Sequence, residues 1–205
     1  MPSDIEELEK KLIEFASKND AIWKKEINLW LDTFINDPIP IPSEIQEMLL
    51  TKAHGAQLQA LSLPIRYLPD NDLCDPSRSI IFPNVDDVQM HHIFPRKWIS
   101  SNDGKAAFFG TKVGNADAIK LLQECLANKT PLTKTSNILW SADSPETALT
   151  NHVNKPNNIK GTAVWTERFI TNQTYDNLKN DLCVTFLNTR AEEIEKWLTK
   201  QCKIN

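Results

Sequence analysis

The sequence predicts a mainly helical α+β protein whose few short strands fall in the middle of the chain. Three observations carry this expectation. Apolar residues recur at helical spacing near both ends. S-x-x-E/Q capping boxes open two of those stretches. The clearest short extended segments without helical period fall around Val88–Met90 and Thr130–Thr133.

Taken in order, Ser3 and Glu6 form the first capping box, and Ile5, Leu8, Leu12 and Phe15 continue a helix to about Ser17. Asn19 and Asp20 break it. Ile22, Trp23, Ile27, Trp30, Leu31 and Phe34 form a second amphipathic stripe. Pro38, Pro40 and Pro42 punctuate the chain, and Ser43 with Gln46 caps a third helix running to about Ala60. Residues 61–87 are rich in Pro, Asp and Asn and read as irregular, with room for one short strand. Tyr67 to Ser79 is the best place for a loose boundary, which divides the chain into an N-terminal helical region, 1–78, and a second unit, 79–205. Ile119, Leu121, Leu122 and Leu126 predict a helix over 116–127. A weaker one is expected over 146–153, and a final helical pair over 175–187 and 189–201.

Composition bounds the function classes. With 205 residues, 40% hydrophobic and 24% charged, the chain is ordinary for a soluble globular protein. No apolar run approaches the ~20 residues of a membrane helix, so no membrane partner is expected. The acidic start lacks the features of a secretory signal. The four cysteines are scattered with no C-x-x-C pair, which argues against a zinc knuckle and for reduced thiols in the cytoplasm. Net charge is −4, so the chain is no generic polyanion binder. Its distribution is uneven, however. Residues 1–87 hold 8 Lys/Arg against 16 Asp/Glu, whereas residues 88–168 hold 10 against 6. The basic third contains the one sharp motif.

That motif is His91-His92-Ile93-Phe94-Pro95. Neighbouring side chains on a strand face opposite sides, but at a strand end leading into a proline turn the alternation relaxes. One histidine can then face a cation while the next faces a phosphate. A second cluster, Asn128-Lys129-Thr130-Pro131-Leu132-Thr133-Lys134-Thr135-Ser136-Asn137, reads as a loop Asn, a short strand, a capped helix start and a second Asn. Two short strands packed by that helix would bring His91, His92 and Asn137 around one cation.

Together these residues resemble the HNH, or ββα-metal, endonuclease superfamily. Its pattern is [D/H]-H-I-x-P, then an Asn opening a second strand, then an Asn or His nine positions later, and Asn128 to Asn137 has that spacing. The His-His-Ile-Phe-Pro variant is similar to the C-terminal nuclease domain of bacterial restriction and phage-defence proteins, which often carry a nucleotide-hydrolysing domain in front. The resemblance covers about residues 88–150 and implies a small ββα-metal core. It implies that His92 is the general base, that His91 and Asn137 bind the metal, and that Asn128 holds the loop between the strands. It implies one divalent cation, Mg²⁺ first, with Mn²⁺, Ni²⁺ or Zn²⁺ as alternatives because His91 stands where the family usually has Asp. Lys129, Lys134, Arg96 and Lys97 are the candidate DNA contacts, and Arg190 could reach phosphate or pair with Glu192 or Glu193. Asn128 follows His92 by 36 positions, a long insertion for this motif.

The expected function is therefore a metal-dependent DNA endonuclease of bacterial restriction or anti-phage defence. A regulatory domain or partner and a homodimer are possible accompaniments. Two alternatives stand beside it: a catalytically inactive DNA-binding or regulatory module with the same fold, and a nuclease toxin. Cleavage of plasmid DNA separates the first from the inactive module, and lethality on expression, relieved by His92→Ala, favours the toxin or an unregulated defence nuclease.

Overall fold

The structure is a computed structural model and describes positions 46, 49–50, 61–66, 68–80, 87–101, 123–153 and 155–202, with 201 and 202 described by backbone alone. The helices expected over 3–17 and 22–34 lie outside these residues, as do positions 116–122 of the fourth. Of the third helix, positions 46, 49 and 50 are described and are helical.

Strand β1, Val88–His92, pairs antiparallel with β2, Lys129–Thr133. The register sets Val88 opposite Thr133, His91 opposite Thr130 and His92 opposite Lys129. Both strands are edges, where the N–H missing at Pro131 is tolerated. Between them come α1, Arg96–Ser101, and a 3₁₀ turn, Leu126–Asn128. Helix α2, Lys134–Trp140, follows β2 directly, and the Thr133 hydroxyl caps it by accepting from Ser136 N at 3.3 Å. Ser144 caps α3, Pro145–Asn151, in the same way, with Pro145 at the first helical position. A single turn, α4, Ala163–Thr166, precedes α5, Asn172–Lys179, and α6, Cys183–Cys202. The described residues thus mix helices with one two-stranded sheet.

Two short strands cannot stand alone in water, and this pair is covered by a shared core. Leu132, Phe94, Trp140, Trp165 and Phe186 are fully buried in it. Helix α6 contributes Phe186, Leu187, Ala191, Ile194 and Leu198. Phe94 stacks between Trp98 and Phe186, with ring centroids 5.1 and 5.4 Å away. Leu61, Ile65 and Leu73, which precede position 79, join the same cluster.

Three expectations are corrected. Residues 61–66 are helical where an irregular segment was expected. The helix expected to reach Ala127 is replaced at its end by the 3₁₀ turn. The final helical pair divides at Asn180–Leu182 and not at Asn188. Asp181 takes a positive φ of 54° there, a conformation that Asp tolerates better than most residues. Asn188 and Thr189 lie within α6, where their side chains bond back to the carbonyls of Val184 and Thr185, at 3.0 and 2.8 Å. No helix among the described residues is long and apolar enough to cross a membrane.

Candidate functional site

The site is built where β1, β2 and α2 meet. His91 lies near the end of β1 and Asn137 in the first turn of α2, 46 positions later. His91 Nδ1 and Asn137 Oδ1 are 2.6 Å apart. Asn137 Nδ2 donates to Gln89 Oε1 at 2.5 Å. Because Oδ1 can only accept, His91 carries its proton on Nδ1 in this state. Its Nε2 is buried with no hydrogen-bond partner among the described residues, and its ring packs on Trp140 with centroids 4.9 Å apart. Burial pushes the His91 pKa down to about 4, helped by Lys129 and opposed by the Asn137 bond.

His92 is half-buried on the other side of β1. Its Nε2 contacts the Lys129 ammonium directly across the strand pair. Burial, then the charges of Lys129 and Arg96, lower its pKa to about 4. Both rings are therefore neutral near pH 7. Lys129 lies 3.7 Å from Glu124, which also pairs with Arg96 at 2.6 Å. Gln123 donates to Ser100 Oγ and to the Arg96 carbonyl, so the chain just before β2 docks on α1. Lys129 is thus partly enclosed between His92 and Glu124. Lys97 and Lys134 are exposed, and Arg96 is largely so.

Asn128 is fully buried and completes the loop between the strands. Its Oδ1 accepts from Phe94 N at 2.8 Å, and its Nδ2 donates to Phe94 O at 2.9 Å. Its own carbonyl accepts from Ile93 N at 2.9 Å. The side chain thus continues the pairing of β1 with β2 past the end of both strands. It faces the Phe94 backbone, away from the His91–Asn137 pair.

Sequence reasoning missed two further anchors. Asp72, in the segment read as a loose boundary, is fully buried. It accepts from Thr133 N at 2.7 Å, Ser136 Oγ at 2.6 Å, Cys74 N at 2.8 Å and Asp75 N at 3.1 Å. It therefore fixes the N-terminus of α2 just ahead of Asn137. Nothing local in the sequence marks it. Arg190 is the second. It does not reach outward to phosphate, and it does not pair with Glu192 or Glu193. It is fully buried, donating to the carbonyls of Ala127 at 2.6 Å, Lys129 at 2.8 Å and Arg168 at 2.9 Å. It holds the backbone on either side of Asn128. Gln89 was also passed over, although its place two residues before His91 puts it on the same strand face.

His91 Nδ1 and Asn137 Oδ1 are joined by a direct hydrogen bond of 2.6 Å, so a cation held by both would take the place of the Nδ1 proton. The donors are one imidazole nitrogen and one amide oxygen. No group of three or more His, Cys, Asp or Glu converges among the described residues. Comparison with protein-family models, with curated proteins and with solved structures finds no match to this chain.

Proposed function

We propose that this chain is a metal-dependent DNA endonuclease of the HNH type, working in bacterial restriction or anti-phage defence. The observation that carries the reading is the meeting of His91 Nδ1 and Asn137 Oδ1 at 2.6 Å, from a strand and a helix 46 positions apart. His92 follows His91 on the opposite side of β1, against Lys129, and Asn128 holds the loop between the strands through the Phe94 backbone.

In this reading His91 and Asn137 hold one divalent cation. Two neutral protein donors leave most positions to water and substrate, which suits Mg²⁺ or Mn²⁺ better than Zn²⁺. The chemistry such a cation supplies when bound is polarisation of the scissile phosphate and stabilisation of the departing 3′ oxygen. His92 takes a proton from a water as that water's oxygen attacks phosphorus and the P–O3′ bond breaks. Lys129, Arg96, Lys97 and Lys134 supply positive charge for the DNA backbone. One site cuts one strand, so nicking is the expected product.

One observation favours the inactive-module reading: the Lys129 ammonium lies against Nε2 of His92, the atom a base would use. Supercoiled plasmid decides between the two. The endonuclease reading expects nicking with Mg²⁺ or Mn²⁺, none with EDTA, and a rate about 10²–10⁴-fold lower for His92→Ala. Plasmid left intact by the wild-type protein with every divalent metal tried would sink it. Full cutting by His92→Ala would remove His92 from the role of base.

A further inference from the structure

Asparagine presents an acceptor at one end of its amide and a donor at the other, in nearly the same shape. Only the oxygen end can bind a cation. The end that faces His91 is therefore set by what the other end meets. At Asn137 that neighbour is Gln89. Gln89 and His91 are two apart in β1 and share a face of the strand. Gln89 Oε1 accepts from Asn137 Nδ2 at 2.5 Å, and with Gln89 presenting this end Asn137 Oδ1 faces His91 Nδ1.

We propose that Gln89 is a positioning residue of the site, holding the Asn137 amide with its oxygen toward His91 so that both donors meet one divalent cation. The proposal rests on the endonuclease reading. Gln89 does not contact the cation; it acts through Asn137. Oriented outer partners of this kind are worth about 10- to 100-fold in metal affinity. Gln89 is exposed, so its contribution belongs at the low end of that range. Its exposure also allows substitution without disturbing the core.

The test is Mn²⁺ titration of the full chain, followed by calorimetry and by the electron paramagnetic resonance of free Mn²⁺. Gln89→Met keeps the length of the side chain and loses the acceptor. It is expected to weaken Mn²⁺ binding about tenfold. Gln89→Glu can only accept, so it should bind at least as tightly as wild type. The decisive background is Asn137→Asp, whose carboxylate offers an oxygen in either orientation and should still bind Mn²⁺. There Gln89→Met should cost nothing further.

A tenfold loss that persists on Asn137→Asp would make Gln89 a direct ligand and overturn the proposal. So would Gln89→Glu binding as weakly as Gln89→Met, or Asn137→Asp losing Mn²⁺ altogether. Unchanged binding by Gln89→Met, with a wild-type protein that binds Mn²⁺, overturns this inference alone. A wild-type protein that binds no Mn²⁺ overturns the inference and the endonuclease reading together.

Discussion

Replacing Asn128 separates a loop-holding role from a metal-binding one. In Asn128→Ala the backbone N–H and C=O of Phe94 lose their partners at 2.8 and 2.9 Å, in a place where Phe94 and Asn128 are both 0% exposed. Leaving one buried polar group unpaired costs about 1–3 kcal/mol, so two cost about 4 kcal/mol. Against a typical domain stability of about 5–15 kcal/mol, that is a large fraction. With a urea m-value of about 2 kcal/mol per molar, the midpoint should fall by roughly 2 M. Asn128→Asp is the sharper variant. It keeps an acceptor for Phe94 N, but sets a carboxylate oxygen against Phe94 O and buries a charge. It should be at least as unstable as the alanine variant. A metal ligand would behave in the opposite way, since Asp would bind a cation more tightly. The assay is urea unfolding followed by tryptophan fluorescence, with Mn²⁺ titration beside it. A midpoint shift below roughly 0.5 M for Asn128→Ala, or an Asp variant that is more stable and binds Mn²⁺ more tightly, would refute the reasoning.

Other substitutions test the remaining anchors. Asp72→Asn turns one of the accepting atoms into a donor facing buried donors, Thr133 N on one side or Ser136 Oγ and Cys74 N on the other; it should cost about 3 kcal/mol in urea unfolding. A variant as stable as wild type would show that Asp72 does not hold the start of α2. Arg190→Met strips the carbonyls of Ala127, Lys129 and Arg168 of their shared donor and should destabilise by about 3 kcal/mol, with Arg190→Lys falling between it and wild type. An unaltered unfolding midpoint for Arg190→Met counts against that clamp. Arg96→Ala removes one end of a largely exposed ion pair, so stability should change by no more than about 0.5 kcal/mol. Alanine at Arg96, Lys97 and Lys134 together should flatten the salt dependence of DNA binding, measured by fluorescence anisotropy, by about one unit of log–log slope for each phosphate no longer neutralised. An unchanged slope removes these residues from the DNA-binding face.

What the sequence made legible was local. The strand entering His91, the strand after Asn128 and the Thr133 cap can each be read from residues close together. Extended β-branched or apolar residues, a proline and a hydroxyl before a helix act over a few positions. The structure extends β1 to His92 and starts β2 at Lys129, a shift of a residue or two. The rest depended on long-range partners. Asp72 reaches Ser136 across 64 positions, and Arg190 reaches Ala127 across 63. A single aspartate in a Pro/Asn-rich stretch looks like a solvated turn, and an arginine near glutamates looks like a surface ion pair. Only the fold shows that both are buried and bonded to the backbone. The break placed at Asn188 failed for a different reason. Asn is a helix breaker when its side chain competes with the helix, but here it bonds back to Val184 O within the same helix.

These anchors also explain how a long insertion is compatible with a tight site. Asn128 follows His92 by 36 positions, and the two ends of that step are held three times over. Ile93 N bonds to Asn128 O, the Asn128 amide brackets Phe94, and Gln123 with Glu124 docks on α1. Arg190 then secures the carbonyls before and after Asn128 from below. Polar anchors suit this task better than apolar packing alone, because a misplaced strand leaves buried donors and acceptors unpaired, whereas a misplaced leucine costs only part of its burial. A slip of β2 by one residue would orphan Phe94, unseat Asp72 from Thr133 and carry Asn137 away from His91. The geometry of the candidate site is thus fixed by groups that touch neither the cation position nor the substrate side.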